Sequence, residues 1–408
     1  MTGKVLIKGG TVLSLDRATG NIVGADVLIE DGTISEVAPS LRTRSAEVVD
    51  AADCIVMPGF VDSHRHLWRT LTRNLSEASS TDMSGHFSPD DLYAATLVGL
   101  LQAIEAGITT VVDWCDIATD DALLEAALTA HVDSGVRTVL VASRPGGTPS
   151  TGVTIAGSSP RLDSADVDTV AAHWIDARTA GKRIHARAGT MAASHGEVAE
   201  LGRRGLLGPD VTLSGCMNLS DADFDAIASS STEVALTPAS DMANGLGFPP
   251  LQQLLDRGIR PGLGVGDERV TPGDIFAQMR AVISVQHARA FDRKLAGKGG
   301  VPNLLSTRDV IRYATVGGAA AAGLSSVTGS LSPGKRADVV VLRADRPNIA
   351  PVNDAIGAVV WGMDTSNVDW VFVGGRTLVA HGELTADLPR ARQLATVAQR
   401  HLAGATQT

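Results

Sequence analysis

His64 and His66 close the run Met57-Pro58-Gly59-Phe60-Val61-Asp62-Ser63-His64-Arg65-His66. A short apolar run of this kind reads as a buried strand, and residues two apart on a strand project to the same face. Two imidazoles on one face at the C-terminal mouth of a barrel strand suit either a shared metal or proton transfer. The same pair also suits a hydrogen-bonded core position. Cys54, Cys115 and Cys216 lie far apart with no CxxC, which excludes a disulfide framework and a zinc knuckle. Cys216, beside Gly215, reads as a small buried filler. His86, His131, His173, His195, His287, His381 and His401 fall on loops or helical faces, where solvation or local hydrogen bonding is expected.

The elements that must position the pair alternate. Candidate strands are 55–62, 109–114, 137–143, 153–157, 183–188, 211–216, 233–237 and 260–266, with helical patterns at 90–105, 120–134, 164–180 and 251–257. Alternating βα units with about eight strands predict an α/β fold, a (β/α)8 TIM-like barrel. Only nine residues separate 143 from 153, and they include Gly146, Gly147, Pro149 and Gly152, so one outer helix is expected to be missing. Both ends of the chain read as β. Lys4–Lys8 and Thr11–Leu15 flank a Gly-Gly turn, and Asp31-Gly32 joins two further strands. The same texture returns at 337–342, 368–373 and 376–379. The expected organisation is a barrel over 58–325 and a small composite β-sandwich from 1–57 and 326–408.

Composition bounds the partners. The 408 residues are 44% hydrophobic, 20% charged and carry a net charge of -10. That balance, without a Lys/Arg run, excludes nucleic acid and an anionic membrane as natural partners. No apolar run approaches the ~18 residues of a membrane span, so a cytoplasmic protein with a small-molecule substrate, and an optional homodimer, is expected. Abundant Gly and Ala, with Arg far outnumbering Lys, point to a high-GC bacterial source and a biosynthetic role.

Pro58-Gly59-Phe60-Val61-Asp62-x-His64-x-His66, Gly107–Asp113, Gly334–Leu342 and Val371–Arg376 together resemble the amidohydrolase superfamily, in its cytosine deaminase and chlorohydrolase branch. The resemblance spans nearly the whole chain. It implies a metal site built from HxH on the first strand, a His on the fifth, a His on the sixth and an Asp on the eighth. The sixth-strand motif reads Gly215-Cys216-Met217-Asn218-Leu219-Ser220-Asp221, with glycine in the ligand place. The eighth reads Leu263-Gly264-Val265-Gly266, followed by Asp267-Glu268. A one-residue slip to Asp267 sends its side chain to the opposite face unless the strand bulges. On the fifth strand Arg187 takes the ligand place, with His185 two residues earlier, and a fixed cation repels a divalent ion.

Two imidazoles are fewer than the three protein ligands of a catalytic zinc site. The expectation is therefore a degenerate metal site with no cofactor, reused for acid–base chemistry. His64, His66, His185, Arg187 and Asp267 are its catalytic candidates. Trp68, as a stacking wall, Asp241 and Glu268 are its substrate-binding candidates. Isomerisation, cyclisation, lysis or metal-independent hydrolysis of a carbonyl- or heterocycle-bearing metabolite would follow. One alternative is a mononuclear zinc deaminase or amide hydrolase on His64, His66, His185 and Asp267. Another is a non-catalytic small-molecule binder, and a bland role for Arg187 is an ion pair with Asp267 or Glu268.

Overall fold

The computed structural model describes residues 3–73, 83–142, 152–190 and 196–405. Strands β1 (Lys4–Leu13), β2 (Asn21–Glu30), β3 (Thr33–Ala38), β4 (Ala46–Asp50) and β5 (Cys54–Pro58) lead into β6 (Phe60–Arg65). Then follow β7 (Ile108–Trp114), β8 (Arg137–Ala142), β9 (Val153–Ser158), β10 (Ile184–Ala188), β11 (Val211–Gly215), β12 (Glu233–Leu236) and β13 (Gly262–Leu263). The C-terminal part adds β14 (Val339–Arg343), β15 (Val368–Val373), β16 (Arg376–Ala380) and β17 (Glu383–Leu384).

Strands β6 to β13 form one eight-stranded parallel sheet in chain order. It closes on itself: Arg65 bridges Gly266, the His66 amide donates to the Gly266 carbonyl at 3.1 Å, and the Gly266 amide donates to that of His64 at 2.8 Å. The fold is the expected TIM-like barrel. Every residue of β6 and β7 is buried, as strands covered on both faces must be. The outer helices are capped as their sequences suggest. Ser88 and Asp91 form a capping box on helix Pro89–Glu105, with proline at its first position. Asp120 caps helix Asp121–Ser134. The missing helix was expected between 143 and 153, and all but Gly152 of that stretch lies outside the described residues.

The termini build a separate mixed sheet of nine strands, in the order β17-β16-β15-β14-β5-β1-β2-β3, with β4 on β1. It is one sheet rather than the expected sandwich of two. Its inner face surrounds a core of Ile7, Val27, Ile29, Ile34, Val56, Val339, Val341 and Phe372. Residues of opposite parity, among them Ile55, Met57, Val340, Leu342 and Val371, join the core of the barrel. Two local expectations change. Gly9-Gly10 is a bulge inside a continuous β1 rather than a turn between two strands. The run 55–62 is two strands in two different sheets, broken at Gly59.

Candidate functional site

The histidine pair sits where β6 ends. His64 and His66 are both buried, their Nε2 atoms 3.3 Å apart. The Nδ1 of His66 lies 3.1 Å from the Trp114 carbonyl and 3.1 Å from Asp116 Oδ1, so these acceptors hold the proton on Nδ1 and leave a lone pair on Nε2. The Nδ1 of His64 has no partner. Burial, then the neighbouring charges of His66 and Arg187, hold the His64 ring neutral, its pKa well below the ordinary histidine value.

His185 and Arg187 share the inward face of β10, as their spacing predicts. His185 Nε2 is buried without a partner, and burial lowers its pKa to about 3. Trp114, at the end of β7, stands between the histidines: its ring centroid is 4.8 Å from that of His64 and 6.2 Å from that of His185. Arg187 is within electrostatic reach of His64, Asp116 and Asp241. It forms no side-chain hydrogen bond or ion pair with a described residue. Asp241 follows β12 on the short helix Pro238–Ala243 and is buried, with Oδ2 unpartnered. Its burial outweighs the Thr237 hydrogen bond and Arg187, raising its pKa to about 6.

Three expected residues are engaged by other side chains. The carboxylate of Asp267 is taken by Arg69 and Arg269, the latter at 2.7 Å. Burial would raise its pKa, but these arginines bring it down to about 2, so it is no proton shuttle. Glu268 is paired with the fully buried Arg65 and lies 3.2 Å from Thr70 Oγ1, a support for the β6 exit rather than a substrate contact. Trp68 packs edge-on against Phe87 with its ring centroid 5.8 Å away, in a cluster outside the barrel. The ring that stands against the histidines is that of Trp114. The anticipated pairing of Arg187 with Asp267 or Glu268 does not form, because Arg69, Arg269 and Arg65 occupy those carboxylates.

Residue reading missed Trp114, Asp116 and Arg69. Trp114 ends the apolar strand Ile108–Trp114 and Asp116 follows two residues on, and position at the mouth of a strand was the available signal. His131, expected to be solvated or locally hydrogen-bonded on a loop or helical face, is on helix Asp121–Ser134, fully buried, and bonds Asp113 at 3.1 Å. His195 lies outside the described residues.

The two glycine positions are closed to side chains. Gly215 has φ +88°, and a Cβ there would lie 2.5 Å from Thr190 Cγ2. Gly266 has φ +76°, and a Cβ would lie 2.9 Å from Ser240 Oγ. Among the described residues no three His, Cys, Asp or Glu side chains gather into a group able to hold a metal ion. Among the described residues, His64 and His66 have no third such donor grouped with them. A groove of about 1220 Å³ lined by Phe248, Arg289 and Leu304 lies apart from all of these residues.

A closed parallel barrel with buried histidines at the mouth of its first strand, packed on a sheet from both chain ends, is the architecture of a barrel enzyme. The chain matches the Amidohydrolase family over residues 55–155 and 163–378, and it belongs to that family. It is 28% identical to the 5'-deoxyadenosine deaminase of Methanothermobacter thermautotrophicus, over 93% of this chain and 94% of the relative. It is 27% identical to the 5-methylthioadenosine/S-adenosylhomocysteine deaminase of Natronomonas pharaonis, over 93% of each. Among solved structures, an adenosine deaminase from Xanthomonas campestris with bound zinc superposes with TM-score 0.83 at 18% identity, over 98% and 99% of the two chains. The zinc complex of the atrazine chlorohydrolase from Arthrobacter aurescens also gives 0.83, at 22% identity over 97% and 100%.

Proposed function

We propose that the chain is a hydrolytic deaminase of an adenosine-type nucleoside or a related amine-bearing heterocycle, acting at the cavity of His64, His66, His185, Arg187 and Asp241. The substrate class is supported by the curated relatives above, which align with more than nine-tenths of the chain. The observation in this molecule that carries the reading is a buried imidazole, His66, anchored through its Nδ1, together with a buried carboxyl, Asp241, whose Oδ2 has no partner. His66 Nε2 is positioned to take a proton from water, and Asp241 to deliver one to a leaving nitrogen. Trp114 offers an apolar face beside them.

Ammonia release from adenosine, 5'-deoxyadenosine, 5-methylthioadenosine and the carboxylate-bearing S-adenosylhomocysteine tests the reading directly. Release with at least one of them, reduced about a hundredfold or more in His66→Ala and Asp241→Asn, is the expected result. Absence of release across the panel from folded protein would sink it. Because Asp241 must be protonated to donate, activity should fall as pH rises through about 6.

One observation favours a second reading, zinc-dependent deamination. Two nitrogen donors on one tetrahedral zinc are about 3.3 Å apart, and the two Nε2 atoms stand at 3.3 Å. Elemental analysis decides between the readings. About one zinc per chain with chelator-sensitive activity supports the second, whereas activity that survives chelation supports chemistry by the side chains alone.

A further inference from the structure

Three arginines surround the cavity, and they differ in one respect. Arg69 is held by Asp267, and Arg161 donates to Thr190 Oγ1 at 2.6 Å and lies 3.6 Å from Asp163. Arg187 has no such partner among the described residues, although much of its side chain is withdrawn from water. A guanidinium taken from water without a counter-charge is costly, and it is retained where something else supplies the charge. Asp116 and Asp241 lie within electrostatic reach of it, but neither hydrogen-bonds it. Asp116 is engaged by His66, and Arg69 and Arg161 repel it. Around it, His185 Nε2 and Asp241 Oδ2 are also buried without partners. Meanwhile Gly215 and Gly266 admit no side chain that could fill the space.

We propose that this corner of the cavity is an oxyanion-binding subsite, in which Arg187 holds a carboxylate or phosphate group of the substrate beside the histidine pair. The inference rests on the reading that this cavity binds the substrate, and it narrows the substrate to a heterocycle bearing an acidic group. A planar guanidinium matches both oxyanions through two parallel hydrogen bonds, whereas an ammonium does not. Asp241 in its protonated form adds a donor on the same side.

The test is thermal unfolding of the full-length, chelator-treated protein with inorganic phosphate or acetate, against chloride at equal ionic strength. One or both oxyanions should raise the wild-type midpoint, with half-saturation weakened at least about tenfold in Arg187→Gln and partly restored in Arg187→Lys. Arg289→Gln, in the separate groove, should bind as wild type does. A larger effect of phosphate assigns a phosphate ester, and a larger effect of acetate a carboxylate. Equal midpoints in oxyanion and chloride overturn the subsite, as does an oxyanion effect that persists in Arg187→Gln. An oxyanion effect lost in Arg187→Gln, together with no ammonia release from any amine-bearing heterocycle, would retain the subsite and reject the deaminase reading.

Discussion

At the scale of single residues, Asp241 couples the cavity to pH. Its carboxyl is raised from an ordinary value of 3.8 to about 6 by burial. Between those values the folded protein binds more protons at this site than the unfolded chain does, so the contribution of Asp241 to stability falls as pH rises. Relative to Asp241→Asn, the wild type should lose up to about 3 kcal/mol between pH 4 and 7, read by denaturant unfolding at each pH. A difference that stays flat with pH would show that Asp241 is not held protonated. Gly215 gives a second prediction. Alanine there meets both the positive φ and Thr190, so Gly215→Ala should cost about 2–4 kcal/mol in the same assay. The spacing of His64 and His66 was legible because period-two geometry is local. That Asp267 is engaged by Arg69 was not, because the partners are 198 positions apart in the chain.

At the scale of elements, a buried ion pair crosses the joint between barrel and terminal sheet. Arg137, opening β8, makes two hydrogen bonds of 2.7 and 2.9 Å to Asp338, just before β14, and Asp338 also accepts from the Gly374 amide at 2.7 Å. The Asp338 side chain is fully buried. Removing it strands a charge and an amide together, so Asp338→Ala should destabilise by about 3–5 kcal/mol. Arg137→Met, which removes the opposite charge but keeps the stem, should lessen that loss in the double variant, a coupling measured by a double-mutant cycle. The barrel strands were readable from short apolar runs between capped helices. The change of sheet at Gly59 was not, because an unbroken hydrophobic run looks the same whether it serves one sheet or two.

At the scale of the whole molecule, the barrel and the terminal sheet share apolar packing. Met57, Val340 and Leu342 of the sheet belong to the same core as Ile108, Val111 and Met279 of the barrel portion. We propose that the stretches 1–57 with 326–408 and 58–325 are structural units that unfold together. Calorimetry should show a single transition, and residues 58–325 expressed alone should lack a cooperative one; two separated transitions would reject this. No helix among the described residues is long and apolar enough to cross a membrane. The two-unit architecture was visible in the sequence through the β texture at both ends. Its closure into one continuous mixed sheet depends on β5 pairing with β14, a contact no local pattern encodes.

The helix Leu388–Ala405 ties the end of the described chain to the flank of its histidine strand. His401 Nδ1 lies 2.7 Å from Asp91 on helix Pro89–Glu105, and Leu402 is buried in the cluster that holds Trp68 and Phe87. Trp68 in turn belongs to the turn that leaves the histidine strand. During synthesis the ribosome delivers His64 and His66 more than three hundred residues before the helix that secures their flank.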